Sequence, residues 1–331
     1  MMAAAAWETR MIVIDNLTHV YPGSRKAGAR KAVDDLTLRV EQGEFTILSG
    51  PNGSGKSTLF RILCGLARPS AGRITIDGHD LVAQAAKVRR LLGVVFQSPA
   101  VDKHLTVNEN LKINADLYGI ADFTARRDEA LAWTDLGGRL DQKVDTLSGG
   151  LARQVELAKV LMTRPRVLLL DEPTTGLDPA SRRQFLAALV RLQKERGMTV
   201  LMTSHVFSEA ESVDRVAIMS EGRLLAYDTP QALKARIGTE MVVIHPAEAE
   251  AMAERLRAEM GLAVRVHGDE LRLEETENGD GLPLLERILE RYRPEIRAIS
   301  IKQPDLEDVF VHVTGRAVPE HAISLEKAAS R

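Results

Sequence analysis

Short apolar runs alternate with amphipathic stretches over the first 230 residues of the chain. Most runs are apolar at every position rather than at every second one, which is typical of strands buried on both faces. The runs lie at Met11–Ile14, Phe45–Leu48, Leu92–Phe96, Val167–Leu170, Thr199–Thr203 and Val216–Met219. Apolar residues at helical spacing extend from Leu59 to Leu66 and from Leu151 to Met162, and Ser220–Arg223 predicts a tight turn between two short strands. This order of elements predicts an α/β fold with a largely parallel sheet.

The pattern changes after Thr229-Pro230. From Met241 to about Val313 the periodicity predicts strand, helix, strand, strand, helix, strand and helix, in that order. The polar stretch Glu274–Asp280 is predicted to be a loop. We therefore expect a small α+β domain at about 236–315, followed by a flexible tail at 316–331.

Composition excludes several classes of protein. The 331 residues include 44 Lys and Arg against 46 Asp and Glu, so a protein that binds nucleic acid through bulk positive charge is not expected. Cys64 is the one cysteine, which excludes an internal disulfide framework and a cysteine-rich zinc site. No apolar run approaches the roughly 18 residues of a membrane span, and Met1–Trp7 lacks the pattern of a signal peptide. The sequence predicts a chain that faces the cytosol.

A phosphate-binding loop follows the second apolar run. Gly50–Ser57 fits G-x-x-x-x-G-K-[ST] and lies between a predicted strand and a predicted helix, which is the context that the motif requires. Lys56 is expected to reach the β- and γ-phosphates of a nucleotide, and the Ser57 hydroxyl to ligate Mg²⁺. The predicted ATP-binding residues of this segment are Gly50, Pro51, Asn52, Gly53, Ser54, Gly55, Lys56, Ser57 and Thr58.

Two carboxylates follow the apolar run Val167–Leu170. A buried strand that ends in Asp171 places its carboxylate near the Mg²⁺ shell. Glu172 then points at a water in line with the γ-phosphate and acts as general base. The alternative interpretation is that the two carboxylates only mark the solvent-exposed end of a strand and have no role in catalysis.

A serine with two glycines opens a later helix. Leu147–Gly150 is either an ordinary N-cap or a second anion site built from the hydroxyl, backbone N–H groups and helix dipole. Because it lies after the phosphate loop and before the acidic pair, it resembles the signature of ATP-binding cassette (ABC) ATPases. The resemblance covers about residues 11–230. It implies a phosphate-loop ABC cassette at 1–235, with a mostly parallel sheet and a helical subdomain at about 100–160.

Four further residues occupy positions at which this family has functional side chains. Tyr21 resembles the aromatic residue that stacks on adenine, with a core tyrosine at a strand end as the alternative. Gln97 resembles the glutamine that joins Mg²⁺ and senses the membrane partner, and His205 resembles the switch histidine at the γ-phosphate. Asp178 lies in a Gly-Leu-Asp-Pro segment similar to the loop that communicates across the dimer.

The chain departs from the family pattern at three places. Leu151 follows the signature where Gln is frequent, and Arg153-Gln154 stands where Gln-Arg is frequent, so altered helix packing is expected rather than lost catalysis. The segment Gly23–Lys31 forms a basic loop, which is either solvated or close to the ribose or phosphates of a nucleotide.

The resemblance implies an ATPase with ATP and Mg²⁺ as its ligands. Its implied catalytic residues are Glu172, His205, Lys56 and Gln97. The implied Mg²⁺ ligands are Ser57, Gln97 and Asp171. The implied nucleotide contacts outside the phosphate loop are Tyr21, Gln97, Ser148, Gly149, Gly150, Asp178 and His205.

The same resemblance implies the partners of the chain. In a head-to-tail dimer, ATP on Lys56 and Ser57 of one copy is covered by the signature segment of the other. Separate membrane permease subunits are gripped by the region from Gln97 to Tyr118, which places the chain peripherally on the cytoplasmic side of the cell membrane. No nucleic acid partner is implied.

The C-terminal segment Gln303–Gly315 is similar to the end of ATPases in the drug, polysaccharide and lipid exporter branch. Its apolar stripe either serves dimer contact or regulation or packs only its own domain.

The function of an importer ATPase remains an alternative. The resemblance of the C-terminal segment to exporter ATPases is the one feature that argues against it. A soluble, non-transport ABC ATPase is the other alternative. It is disfavoured because such proteins have a long coiled coil or a second cassette, and the sequence predicts neither. A non-hydrolysing regulatory module is disfavoured because Glu172 and His205 are both present.

Overall fold

The computed structural model describes residues 10–22, 29–238, 240–273 and 281–314. These residues divide into two units, with the boundary between Tyr227 and Asp228, and each unit has its own hydrophobic core. Residues 23–28, the loop predicted at Glu274–Asp280 and the tail predicted from residue 316 lie outside the described residues. Within the described ranges, none of the helices has the length and apolar character that a membrane crossing needs.

Strands and helices alternate through most of the larger unit. Its strands are β1 (Arg10–Tyr21), β2 (Arg30–Glu41), β3 (Phe45–Ser49), β4 (Ala71–Ile76), β5 (His79–Asp80), β6 (Leu92–Val95), β7 (Val167–Asp171), β8 (Thr199–Ser204), β9 (Arg215–Ser220) and β10 (Arg223–Asp228). Its helices are α1 (Lys56–Leu63), α2 (Ala85–Leu91), α3 (Val107–Leu117), α4 (Phe123–Leu131), α5 (Gly149–Leu161) and α6 (Pro179–Arg196).

A mainly parallel sheet has the strand order β10-β9-β3-β8-β7-β6. Every residue of β3 and β8 is buried, which confirms the prediction of apolar strands covered on both faces. β3 pairs in parallel with β8 and β9, and β7 pairs in parallel with β6 and β8. Because parallel strands end at the same edge, the residues that follow Ser49, Asp171 and Ser204 lie along one edge of the sheet.

A second sheet, with strand order β2-β1-β4-β5, is antiparallel. Met11–Ile14 is the predicted apolar run that lies in this antiparallel sheet, since Ile14 pairs with Leu38 of β2 and Ile74 of β4. The physical reason is the short connection from β1 to β2, because a parallel pair needs a crossover of a dozen or more residues. The alternation Leu36, Leu38, Val40 in β2 is a strand signal that the sequence contains.

The turns and helix starts of this unit follow local sequence rules. The predicted turn at Ser220–Arg223 joins β9 to β10, with φ of 49° at Glu221 and 81° at Gly222. Helix α3 begins with a reciprocal capping box, in which the Glu109 amide donates to Thr106 Oγ1 (3.2 Å) and the Thr106 amide donates to the Glu109 carboxylate (2.8 Å). Helices α3, α4 and α5 pack on one another beside the sheet.

From Met241 onward, the smaller unit has the predicted order of elements. Its helices are α7 (Pro230–Ala235), α8 (Ala249–Met260), α9 (Gly281–Tyr292) and α10 (Leu306–Thr314). Its strands are β11 (Met241–Pro246), β12 (Val264–His267), β13 (Glu270–Leu273) and β14 (Ile296–Lys302), which form an antiparallel sheet in the order β12-β13-β11-β14. Val242, Ile244, Leu256 and Ile288 are fully buried between this sheet and the helices, so the α+β prediction is confirmed.

Candidate active site

The phosphate loop follows β3 and ends at the first residue of α1. Gly55 has φ of 106°, and a Cβ added there would lie 2.4 Å from the carbonyl oxygen of Ala32. At Gly50, φ is 149° and an added Cβ would lie 2.2 Å from the carbonyl oxygen of Met219. Only glycine fits both positions, so the loop packs tightly against its neighbours and turns its backbone toward the N-terminus of α1.

The Lys56 side chain lies along this loop. Its Nζ donates to the carbonyl oxygens of Gly50 (2.6 Å) and Pro51 (3.1 Å), and the residue is only 4% exposed. Burial lowers the pKa of Lys56, while the charges of Glu172 and Asp171 act in the opposite direction. The loop therefore holds its ammonium group close to the two carboxylates.

A cavity of about 190 Å³ opens beside the loop. It is lined by Tyr21, Arg30, Ala32, Asn52, Gly53, Gly55, Lys56, Ser57, Thr58 and Glu172. Tyr21 is 39% exposed, so it is not the core tyrosine of the alternative interpretation, and its hydroxyl lies 3.4 Å from Thr58 Oγ1. Ser54 does not line the cavity, because its side chain is buried beneath the loop.

The acidic pair lies at the end of β7. Thr203 Oγ1 donates to Asp171 Oδ1 (2.7 Å) and accepts from the Glu172 amide (2.9 Å). Glu172 has the left-handed φ of 42°, which turns the chain sharply after the strand. Burial raises the pKa of Asp171, and the hydrogen bond from Thr203 opposes this rise. Thr203 thus holds both residues, although the sequence predicted it only as part of a strand.

Three predicted catalytic side chains meet at the Glu172 carboxylate. His205 Nδ1 lies 3.2 Å from Glu172 Oε2, and Gln97 Nε2 donates to the same oxygen at 3.4 Å. The hydrogen bond with His205 holds the pKa of Glu172 below its usual value, and the same bond raises the pKa of His205. Since Glu172 also lines the cavity beside Lys56, this group faces the place where the loop presents its N–H groups.

The signature segment does not join this group. Ser148 caps α5 by accepting from the Leu151 amide (3.3 Å), and it is exposed together with Gly149. A Cβ added at Gly150 would lie 2.5 Å from Ser181 Oγ on α6. Asp178 caps that helix by accepting from the Ala180 and Ser181 amides (both 3.0 Å). The signature therefore packs on the start of α6, and it contributes no residue to the lining of the phosphate-loop cavity.

Arg153 has a role that sequence reasoning missed. Its guanidinium is buried and donates to the carbonyl oxygens of Phe96 (2.7 Å), Gln97 (2.9 Å) and Pro173 (2.7 Å). It also donates to Glu156 Oε2 at 2.5 Å. The helix α5 is thereby joined to the segments that carry Gln97 and Glu172. The sequence contains one signal for this role. Arg153-Gln154 stands where the family often has Gln-Arg, and altered helix packing is expected at that position.

The first residues of β2, which were predicted to belong to the basic loop after β1, lie near the site. Lys31 pairs with Asp34 (2.9 Å), whereas Arg30 lines the cavity, with Nη2 3.5 Å from the carbonyl oxygen of Gly53. Arg30 therefore adds a guanidinium to the phosphate-loop cavity. Arg25 and Lys26 lie outside the described residues.

The fold and this arrangement define a phosphate-loop ATPase of the cassette type, and comparisons with known proteins identify the family. The family model for ABC transporters matches residues 33–175. The daunorubicin resistance ATP-binding protein DrrA3 of Streptomyces coeruleorubidus is 37% identical, over 93% of this chain and 99% of its own. The Nod factor export ATP-binding protein I of Burkholderia orbicola is 36% identical, over 89% and 96% of the two chains.

Solved structures agree with this result. A dimeric, post-hydrolysis structure of the ATP-binding cassette MJ0796 with ADP and Pi is 28% identical with a TM-score of 0.59, over 66% of this chain and 98% of that one. The structure of cbiO1 from Clostridium perfringens is 27% identical with a TM-score of 0.62, over 77% and 97%. The chain belongs to the family of ABC transporter ATP-binding proteins and is an ATPase of the branch that contains exporter subunits.

Proposed function

We propose that this ATPase works as a head-to-tail dimer that drives export through separate membrane subunits. The observation that supports a dimer is the separation of the two anion sites within one chain, the phosphate loop and the signature segment. The phosphate-loop cavity contains Lys56 and Glu172, whereas the signature residues Ser148 and Gly149 are exposed elsewhere on the unit. A second copy brings its signature over the first copy's loop. In this proposal the cassette spans residues 1–235 and the α+β domain spans 236–315, a few residues after the boundary between the two units at Tyr227 and Asp228.

Each lining residue takes one part in ATP binding under this proposal. Tyr21 stacks its exposed ring on adenine, and the loop amides with Lys56 and Thr58 bind the phosphates. Arg30 donates from the rim of the same cavity to a phosphate or to the ribose. Asp178, at the start of α6, carries the nucleotide state to the neighbouring copy.

The oxygen-rich residues of the site fit Mg²⁺. The Ser57 hydroxyl, the Gln97 amide oxygen and the Asp171 carboxylate are hard donors of the kind that this cation prefers. In sites of this kind Mg²⁺ is usually held by one or two carboxylates together with phosphates of the substrate. When bound, Mg²⁺ neutralises charge on the β- and γ-phosphates.

Glu172 is the general base in this proposal. Its pKa is held low, so it is ionised near neutral pH and accepts a proton from the attacking water. His205 and Gln97 both lie at hydrogen-bond distance from Oε2 of this carboxylate. In this proposal His205 also binds the γ-phosphate. Binding of that phosphate by both copies favours the closed dimer, and its loss on hydrolysis opens the dimer.

A large cleft in the cassette suits the membrane partner. It has a volume of about 1060 Å³ and lies between β6 with α2 and the helical segment, with Phe96 and Tyr118 in its lining. Tyr118 is 67% exposed, and Leu117 beside it is 79% exposed. We assign this cleft to a cytoplasmic helix of a permease subunit, which places the chain peripherally at the cytoplasmic face of the membrane. Import instead of export remains the second candidate, and the exporter relatives disfavour it.

Mixing two inactive variants tests the dimer. Lys56→Ala removes the phosphate contact and Ser148→Arg blocks the signature, so each homodimer is expected to lose ATPase activity. A mixed dimer of the two keeps one complete site, made of the Ser148→Arg copy's loop and the Lys56→Ala copy's signature. Steady-state ATPase assays of the mixture should therefore recover activity. Absence of recovery, with mixed dimers shown by native mass spectrometry, contradicts a shared site.

Placing a charge in the cleft tests the membrane partner. Tyr118→Asp puts a carboxylate on an exposed aromatic that lines the cleft, and loss of an interface hot spot of about 2 kcal/mol weakens binding roughly 30-fold. The amount of permease subunit that co-purifies with the chain is expected to fall accordingly, while the ATPase activity of the isolated chain is unchanged. Leu225→Asp, at another exposed large apolar residue, which lies on β10 and outside the cleft, is the control. Equal co-purification of both variants would place the permease elsewhere.

A further inference from the structure

A buried carboxylate lies close to the active site without lining its cavity. Glu209 belongs to the short 3₁₀ helix Phe207–Ser212, which follows β8, and its side chain is 1% exposed. It does not line the phosphate-loop cavity, so it has no place among the nucleotide contacts proposed above. A carboxylate in such a place is costly unless several donors hold it, and those donors therefore indicate what it does.

Each oxygen of this carboxylate accepts a hydrogen bond from a buried hydroxyl. Thr174 Oγ1 donates to Glu209 Oε1 and Ser204 Oγ donates to Glu209 Oε2, both at 2.6 Å. Thr174 follows Glu172 by two residues, and Ser204 immediately precedes His205. Glu209 thus joins the turn that carries the proposed base to the strand end that carries the histidine.

The Ser204 hydroxyl also fixes the backbone around His205. While its proton goes to Glu209, its oxygen accepts from the Val206 amide at 2.9 Å. His205 is therefore the middle residue of a turn that the Ser204 side chain closes. Since a hydroxyl has only one proton, the arrangement of these two bonds depends on the acceptor that Glu209 provides.

A third partner of Glu209 comes from α6. Arg182 Nε lies 3.6 Å from Glu209 Oε1, which is too far for a hydrogen bond but close enough for an ion pair. The carboxylate therefore contacts three segments of the larger unit, namely the turn after β7, the end of β8 and the first turns of α6. A single buried group thus sets how these segments lie relative to one another.

We propose that Glu209 is a positioning residue for the ATPase reaction, because it sets the place of His205 relative to Glu172. His205 Nδ1 lies 3.2 Å from Glu172 Oε2, so a small displacement of either segment breaks this contact. Glu209 holds both segments from the buried side, as the supporting groups of a precise site must. This inference rests on the proposed catalytic roles of Glu172 and His205.

Glu209→Gln tests this role, because an amide offers one acceptor oxygen where the carboxylate offers two. One of the two hydroxyls loses its acceptor, and the kcat for ATP is expected to fall by about tenfold or more, since a misplacement of about 1 Å can cost roughly 100-fold. The affinity for ADP should be unchanged, because the residues that line the cavity are intact and His205 is expected only at the γ-phosphate. Steady-state ATPase assays and calorimetric titration with ADP measure the two quantities.

Glu44→Gln is the matched control for this substitution. Glu44 is also buried and accepts hydrogen bonds from two hydroxyls, those of Thr46 and Tyr227, with Arg215 at 3.8 Å. It immediately precedes β3, so it lies at the edge of the sheet opposite the phosphate loop. Both variants are expected to lose stability in urea titration, and only Glu209→Gln is expected to lose turnover.

Ser204→Ala separates positioning from the loss of a charge near the histidine, because the Glu209 carboxylate remains. The hydrogen bond with Glu172 makes the largest contribution to the raised pKa of His205, and the charge of Glu209 makes a smaller one. NMR titration of the His205 ring in this variant should therefore show a lower pKa as the histidine moves away from Glu172. A variant that is only less stable keeps the raised pKa in its folded state.

Equal turnover of Glu209→Gln and Glu44→Gln, or an unchanged His205 pKa in Ser204→Ala, overturns the proposal. A failure of the proposed function has a different result, since it would appear as unchanged turnover in Glu172→Gln, in which Glu209 is intact. Loss of turnover in Glu172→Gln without loss in Glu209→Gln would remove only the positioning role.

Discussion

Replacing Glu172 with Gln is expected to lower ATP turnover by about 10²–10⁴-fold, the usual loss when a general base is removed. The amide has nearly the same shape, so the hydrogen bond from the Glu172 backbone N–H to Thr203 is retained. What is lost is the ability to accept a proton from the attacking water. ATP binding should persist, because the phosphate loop and Lys56 are unchanged. Light scattering with ATP is therefore expected to show an accumulated dimer.

The same variant has a second readout that is independent of turnover. The Glu172 carboxylate raises the pKa of His205, so its replacement should return that pKa toward the ordinary value. NMR titration of the His205 ring in the two proteins measures this change. A fall in the His205 pKa together with a loss of turnover shows that the variant is folded and that the Glu172 carboxylate of the unaltered protein faces the histidine.

Glu195→Gln is the control for this prediction. It makes the same chemical change at an exposed position of α6, away from the cavity. Its turnover and its His205 titration are expected to match those of the unaltered protein. Unchanged turnover in Glu172→Gln would remove this residue from the base role and direct attention to Asp171, the other carboxylate of the pair.

The part of this site that the sequence predicts well is built from contiguous residues. The phosphate loop combines a strand, a glycine turn and a helix within about 20 residues, so its local signals agree with one another. The edge of the sheet on which Asp171 and His205 lie also follows from the sequence, because fully apolar runs indicate parallel strands. The structure brings together Glu172, His205 and Gln97, to which the sequence assigned separate catalytic roles.

What the sequence does not predict depends on residues far apart in the chain. Met11–Ile14 has the composition of a parallel strand, and only its pairing with β2 and β4 reveals the second sheet. Thr203 reads as one more residue of an apolar strand until its hydroxyl is seen between Asp171 and the Glu172 amide. Arg153 has its backbone partners 20, 56 and 57 residues away, so no local pattern identifies them.

Replacing Arg153 with Met is expected to lower the free energy of unfolding of the larger unit by about 3–5 kcal/mol, the usual cost of removing one partner of a buried ion pair. The side chains of Arg153 and Glu156 are 4% and 5% exposed, so neither water nor salt compensates the lost charge. Three backbone carbonyls also lose their donor. Urea titration with tryptophan fluorescence measures this change, because both tryptophans precede the boundary at residue 228.

Arg73→Met is the matched control at the surface. Arg73 pairs with Asp80 at 2.8 Å, but its side chain is 65% exposed, and such pairs contribute about 0–1 kcal/mol. A similar loss for Arg73→Met and Arg153→Met would mean that burial does not set the cost. Turnover is expected to fall in Arg153→Met alone, since its guanidinium holds the backbone carbonyl of Gln97.

The double variant Arg153→Met with Glu156→Leu separates the cost of an unpaired charge from the value of the pair. Once both charges are replaced by apolar groups, no buried carboxylate is left without its cation, so the double variant should lose less stability than the two single variants summed. The double variant still lacks the contacts of Arg153 with Phe96, Gln97 and Pro173 and the hydrogen bond from the Ala100 amide to Glu156, and the remaining deficit measures what these contribute together. Strict additivity would show that Arg153 stabilises this unit through those carbonyls rather than through Glu156.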